Sequence, residues 1–484
     1  MKKYIATLLL CFSFSCAAME IPLTLFPLDA YSQNIESHLW INHEDYHRPL
    51  IEASYQQEQI TQFYEHYYST QGLSPWSEKT VSAILPLVYT LESQQLLAYD
   101  NADKDPLEQH YAENFRPHDA DWSQHLRTKM QLESLQSIYY EDTKRAIVTE
   151  NTSGRNLPEE APDFLHASLA GQGFPFDNLQ DTSLWIGTPI YVIATSRDKA
   201  WSLVITQDAY ITWIKTKNLA FTSEQFIKQW QIYAKQKLIA TMKTEISLLD
   251  SDDQFLSSGY IGSVFPLIEE TTTHYLVALP FRNKKGWAEI NTGKMPVEDA
   301  AKMPLILNKA NIAKLLSQLK NRPYGWGGAF FFNDCSQELK SLFTPFGLWL
   351  PRNSAQQSKA GSTLDLSNLS NEERLQSIQN QSHPLLTLIY LPGHIMLYIG
   401  NEKFQQQTVA MTYQNIWGLS PASRDKRYVI GQSVFFPLLN TYPEEPDAQP
   451  LFAKQVLKLV FLDGRSKTLE SPASFSKRLL QSDL

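Results

Sequence analysis

The chain has 484 residues, a formal net charge of −9, 43% hydrophobic and 12% aromatic residues. At roughly 150 residues per domain, this length predicts about three folding units, each with a core of its own. No basic patch or stripe of the kind that tracks a phosphate backbone is present, which excludes nucleic acid as a partner.

The first residues have the pattern of a targeting segment. Lys2 and Lys3 form a basic start, Tyr4 to Phe14 is apolar, and Ser15-Cys16-Ala17-Ala18 offers small residues for cleavage. The reading is a signal peptide over residues 1–18 and a mature chain that is exported to the periplasm or cell envelope. The apolar run is too short for a permanent membrane anchor, and no later stretch is long and apolar enough to span. A lipid anchor on Cys16 would need a Leu-and-small-residue tripeptide ahead of it, which Ser13-Phe14-Ser15 fits poorly. Of the three cysteines, Cys11 and Cys16 lie in or beside the removed segment. Cys335 is then the one thiol of the mature chain, and a single unpaired thiol in an exported protein is flagged as reactive.

Residues 19–160 are rich in aromatic and helical patterns, such as WSEKTVSAILPLVYTLES after Pro75. Near 165 the texture changes to short β-type runs, LWIGTPIYVIAT, AWSLVIT and AYITWIKT, bounded by Gly, Pro, Asp and Ser. Residues 161–221 are therefore expected to form one all-β unit. Residues 222–237 have a Thr-Ser start, Glu224 in the first turn and a helical period. A second all-β unit is expected over 238–300, so the pair reads as two small barrels joined by a helix. From 301 to 440 the pattern runs helix, Gly-rich turn, helix, then the strands LLTLIYL, HIMLYIG and QTVAMTY. A linker-like YPEEPDAQP opens a C-terminal extension over 441–484.

The chemistry concentrates in NRPYGWGGAFFFNDCSQELKSLFTPFGLWLPRNSAQQ, residues 321–357. Cys335 opens a helical pattern in which Leu339, Leu342, Phe343 and Phe346 share one face, with Asp334 at the N-cap position. A thiol in the first turn of a helix faces the positive end of the backbone dipole, which predicts a lowered pKa. A cysteine nucleophile needs a base, and the base a group to orient it. Two histidines follow, His383 in a polar loop and His394 at the head of a strand. On the next strand Gln414 and Asn415 offer amide oxygens that fix an imidazole tautomer. His43-Glu44-Asp45-Tyr46-His47 matches H-E-x-x-H, with Glu65 or His66 as a third ligand. Pro49 would break the helix that this zinc motif requires, so no metal and no cofactor are expected.

PYGWGG, DCS, FGLWLPRNSAQQ and PGHIMLYIG together resemble the NlpC-type papain-like cysteine peptidases of bacterial cell-wall peptides. FPFDNLQ ahead of two β units resembles the tandem SH3-like barrels of the gamma-D-glutamyl-L-diamino acid endopeptidase branch, and residues 31–76 its N-terminal stabilising domain. The resemblance implies a multidomain α+β architecture: a mostly helical N-terminal region, two SH3-like barrels and a papain-like α+β catalytic domain. It implies Cys335 as nucleophile, His394 as base and Gln414 as orienting group, where that branch carries histidine in a His-Asn-x-Trp-Gly pattern. Asp334 and Ser336 match positions that hold the free amine of an N-terminal L-Ala, and Tyr324 an active-site tyrosine. The implied reaction is hydrolysis of the D-γ-glutamyl–diamino acid bond in peptidoglycan stem peptides or muropeptides, by a monomer. Two other readings remain: a wall-binding protein with a relic cysteine domain, and a wall amidase using the same thiol.

Overall fold

The computed structural model describes residues 23–39 and 44–464. The expected signal peptide, Cys11, Cys16 and His43 lie outside the described residues. Three seven-stranded sheets organise the rest. No described helix is long and apolar enough to cross a membrane.

The first sheet closes the first barrel, with the strand order Gln180–Leu184, Thr152–Arg155, Ile211–Lys215, Trp201–Thr206, Pro189–Thr195, Arg145–Val148, Leu219–Phe221. Its strands Arg145–Val148 and Thr152–Arg155 come from the stretch expected to belong to the N-terminal region, so the barrel starts before residue 161. RAIV and TSGR are too short for a periodic signal. Their partners decide them: Ala146 faces Ile190 and Phe221, and Ser153 faces Ser183. The second barrel begins at Leu238–Thr241 and ends at Ala300–Lys302. Between them runs the helix Glu224–Gln236, capped by Ser223, whose hydroxyl accepts from Phe226 N at 3.1 Å. The helix packs on the strand Val264–Glu270 of the second barrel.

The third sheet forms the floor of the C-terminal domain around the strands Thr387–Leu391, His394–Phe404, Gln407–Leu419 and Arg427–Pro437. Both ends of the chain add to it. Leu23–Leu25 runs parallel to Arg427–Pro437 at one edge. Lys458–Phe461, expected as a short strand or helix on the domain surface, is a strand inserted between Thr387–Leu391 and Ser362–Asp365.

The N-terminal helices act as braces. From Ala53–Tyr67, Gln56 donates to the carbonyls of Leu305 (2.6 Å) and Phe346 (3.0 Å). His66, weighed above as a zinc ligand, instead stacks on Trp349 at 3.6 Å. His47 ends a single 3-10 turn, Glu44–His47, rather than the α-helix that H-E-x-x-H needs. Trp76 is fully buried and its indole N–H donates to Ala146 O at 2.9 Å, which ties this region to the first barrel.

The helix Cys335–Phe343 is amphipathic in sequence, yet every residue in it is buried. Its apolar face joins the main core with Leu388, Ile395 and Leu397. Its polar face meets the two barrels. Lys340 makes a buried ion pair with Asp208 of the first barrel. Gly262 of the second barrel, at φ +88°, approaches so closely that a Cβ there would lie 2.8 Å from Ser341 Oγ. Breaking such a buried pair leaves one charge without a partner, at a cost of about 3–5 kcal/mol. Asp208→Ala should therefore lower the thermal midpoint markedly, and the double variant Asp208→Leu/Lys340→Met should recover most of the loss. Calorimetry of the three proteins checks this; equal midpoints for Asp208→Ala and the unmodified chain would contradict it.

Candidate active site

Cys335 begins its helix with Asp334 as the N-cap. The Asp334 carboxylate accepts from Gln337 N at 2.8 Å and from Ser336 Oγ at 3.0 Å. It also carries a charge partner that the sequence did not reveal. Arg352, from the PRNSAQQ segment, reaches Asp334 Oδ2 at 2.7 Å and Oδ1 at 3.2 Å, and donates to Ser336 Oγ at 3.0 Å. The same guanidinium donates to Thr182 Oγ1 at 2.7 Å and to Asp181 O at 3.3 Å, both in the first barrel. The carboxylate that the resemblance assigns to a substrate amine is thus already held by an arginine.

The Gly-rich turn ahead of the thiol leans on the same barrel strand. Gln180 donates to Gly327 O at 2.9 Å, Ser183 to Gly328 O at 2.6 Å, and Trp326 Nε1 to Asp177 O at 3.0 Å. A Cβ on Gly327, at φ +56°, would sit 2.2 Å from Gln180 O, so only glycine permits the contact. Tyr324 stands beside the thiol: desolvation and then the charges of Cys335 and Asp334 push its phenol well up.

His394 heads the strand His394–Phe404, and the next backbone N–H, of Ile395, points at the Cys335 sulfur. His394 Nε2 lies 2.7 Å from Gln414 Oε1. Gln414 Nε2 donates to Thr412 Oγ1 at 3.0 Å, and Thr412 Oγ1 donates to Phe436 O at 2.7 Å. A backbone carbonyl can only accept, so this terminus sets the direction of the whole relay. The threonine hydrogen points to Phe436, the amide NH2 to threonine, and the amide oxygen to the ring. His394 therefore carries its hydrogen on Nε2 and keeps the Nδ1 lone pair free to take a proton. Asn415 is committed elsewhere, donating to Asn333 O at 2.8 Å. His383 pairs with Asp463 at 2.7 Å.

The expected low thiol pKa is overturned. Burial, reinforced by Asp334, pushes Cys335 up to about 12 against the opposing pull of Ile395 N–H, Arg352 and Ser336 N–H. Burial likewise pushes His394 down to about 4, with Gln414 and Asp334 opposing. A helix terminus contributes at most about 2 kcal/mol, whereas removing an ion from water costs several. Cys335 is only 7% exposed and His394 9%, so desolvation wins for both. The resting pair is neutral thiol and neutral imidazole at pH 7.

Sequence reasoning missed Arg352 and Asp181. Arg352 was visible inside the quoted motif, but its barrel partner Thr182 lies 170 positions upstream in a separate domain. Asp181 accepts from Tyr210 OH at 2.8 Å through Oδ1, while its Oδ2 is buried with no hydrogen-bond partner.

Residues 321–421 match the NlpC/P60 family, residues 162–215 an SH3 domain of the SH3b1 type, and residues 223–272 an SH3 domain of the SH3b2 type. The chain is similar to a gamma-D-glutamyl-L-lysine dipeptidyl-peptidase of Bacillus cereus, at 24% identity over 234 residues. That match covers 46% of this chain and 66% of the relative, just under two thirds of its length. It also resembles a solved NlpC/P60 endopeptidase from Photobacterium damselae subsp. piscicida. The TM-score is 0.78 and the identity 25%, over 92% of this chain and 99% of that one.

Alkylation tests the resting state of the pair. Iodoacetamide should modify Cys335 slowly at pH 7, with a rate that keeps rising through pH 10. A plateau with a midpoint below about 8.5, the value for a free thiol, would show an ionised thiolate instead.

Proposed function

We propose that this chain, which carries an NlpC/P60 cysteine peptidase domain behind two SH3 domains, hydrolyses the D-γ-glutamyl–diamino acid bond of peptidoglycan stem peptides. The observation that carries this reading is the directed relay from His394 through Gln414 and Thr412 to Phe436 O, one residue from the Ile395 N–H that points at the Cys335 sulfur. Nδ1 of His394 takes the Cys335 proton as the sulfur attacks the carbonyl carbon of the γ-amide. The imidazolium then gives that proton to the leaving amine, which departs with the diamino acid. The resulting thioester is cleaved by a water activated by the same Nδ1, and the thiol is restored. Gln414 holds the ring in the tautomer that each step needs. A complete relay argues against a relic domain that only binds the wall.

A site closed by the first barrel favours short free peptides over intact sacculi, and export to the cell envelope would bring the enzyme to them. For an N-terminal ammonium, Asp181 is the nearby acid whose oxygens are not both engaged. Its Oδ2 lacks a partner, whereas both oxygens of Asp334 are engaged. Mass spectrometry of L-Ala-D-γ-Glu-diaminopimelate peptides, free and N-acetylated, tests the reading. The free peptide should be cut and the acetylated one spared. Cys335→Ala and His394→Ala should each lower kcat by at least about 10³-fold, and Gln414→Ala should leave measurable turnover. Equal cleavage of the two peptides would sink amine recognition, and near-normal turnover in His394→Ala would sink the base assignment.

The role of Asp181 gives a pH signature. Burial pushes its carboxyl up to about 6, with Tyr210, Arg352 and Thr212 opposing. Below that pH it is neutral and cannot pair with an ammonium; above it the charge is present. The kcat/KM for the free peptide should therefore rise through pH 6, and Asp181→Asn should flatten that limb while raising KM. His394, at about 4, titrates too low to produce it. An unchanged limb in Asp181→Asn would assign it to another group.

A further inference from the structure

A cleft outside the candidate active site runs between the N-terminal region, the first barrel and the turn before Cys335. Its apolar chamber, about 720 Å³, is walled by Phe115, Phe164, Phe174, Phe330 and Phe331. Phe115, Phe174 and Phe330, from three separate segments, are 67%, 80% and 81% exposed. Phe330 and Phe331 both have left-handed backbone, at φ 58° and 60°. Bulky L-residues rarely adopt it, and such outliers cluster at ligand clamps. A second chamber of about 790 Å³ adjoins the first, sharing Ser153, Arg155, Glu160, Gln180 and Phe331. Here Lys199, Lys215, Lys217 and Arg282 face one carboxylate, Glu160, which Lys215 already holds. Neither chamber is lined by Cys335, His394 or Gln414.

We propose that this cleft docks an acidic peptide segment bearing one large apolar side chain. The apolar anchor enters the chamber walled by the phenylalanines, and the carboxylates meet Lys199, Lys217 and Arg282. Charge complementarity supports the acid: the basic lining stands out on a chain of net charge −9. Two features suit a peptide. Asn218 lines the basic chamber at 8% exposure, and its amide oxygen is buried with no partner while its NH2 donates to Thr152 Oγ1 at 3.0 Å. That acceptor is complementary to a donor such as a peptide N–H. The strand Thr152–Arg155, which lines both chambers, pairs along its length with Gln180–Leu184 but meets its other neighbour only at Arg155. Backbone groups left unpaired on that side are complementary to an extended peptide.

The test uses the full mature chain and a fluorescein-labelled decapeptide of Asp and Glu around a central Trp, read by fluorescence anisotropy. Binding should be saturable, weaken as salt rises, and fall at least about 10-fold in Lys199→Glu/Lys217→Glu and in Phe330→Ala. Both lysines are exposed, so the charge reversal should leave the thermal midpoint unchanged. Cys335→Ala should bind as well as the unmodified chain, which keeps this result separate from that of the peptidase assay. Absence of saturable binding overturns the proposal. So does equal affinity for the Trp→Ala decapeptide, and so does tighter capture by phosphatidylglycerol vesicles than by the peptide.

Discussion

Arg352 is buried where the first barrel meets the helix of Cys335, and its guanidinium is satisfied from both sides. A buried arginine is tolerated only when its donors find acceptors and its charge a counter-charge. Asp334 and Ser336 supply these from the catalytic domain, and Thr182 and Asp181 from the barrel. Two consequences follow. Asp334 is neutralised beside the thiol, where a lone carboxylate would drive the thiol pKa higher still. The strand Gln180–Leu184 is also locked to the N-cap of the helix, so the barrel is fixed against the start of the helix that carries Cys335.

Burial also explains why the thiol and imidazole rest neutral. Charge separation must be generated during the reaction, inside a site that excludes water. Groups already aimed at the sulfur, the N–H of Ile395 and of Ser336, need not reorganise when the thiolate forms. Orientation of His394 comes from a neutral amide rather than a charged residue. Gln414 can play that part because Thr412 and Phe436 O leave its amide only one way to face.

The barrels were legible as short alternating runs bounded by turn residues, and so was the helix between them, with its Ser223 cap. Cys335, Asp334 as N-cap, His394 and Gln414 were legible too, because motif and spacing put each on a named element. Arg145–Val148 and the insertion of Lys458–Phe461 within a sheet were not, since four-residue strands carry too little pattern and owe their place to partners far away in sequence. The choice between Gln414 and Asn415 was equally out of reach, because adjacent strand residues point to opposite faces and only the packing says which face holds the histidine.

By itself the sequence determined the periodicities, the caps, the order of the units and the elements that carry Cys335 and His394. These rest on local backbone preferences and on chemistry that few residue types can perform. Tertiary structure alone decided the protonation state of the pair, the barrel that closes the site, and the arginine that holds Asp334. Each of these depends on how much water is removed and on which groups from distant segments replace it. Solvent exclusion is a property of the packed whole, and no stretch of the chain encodes it alone.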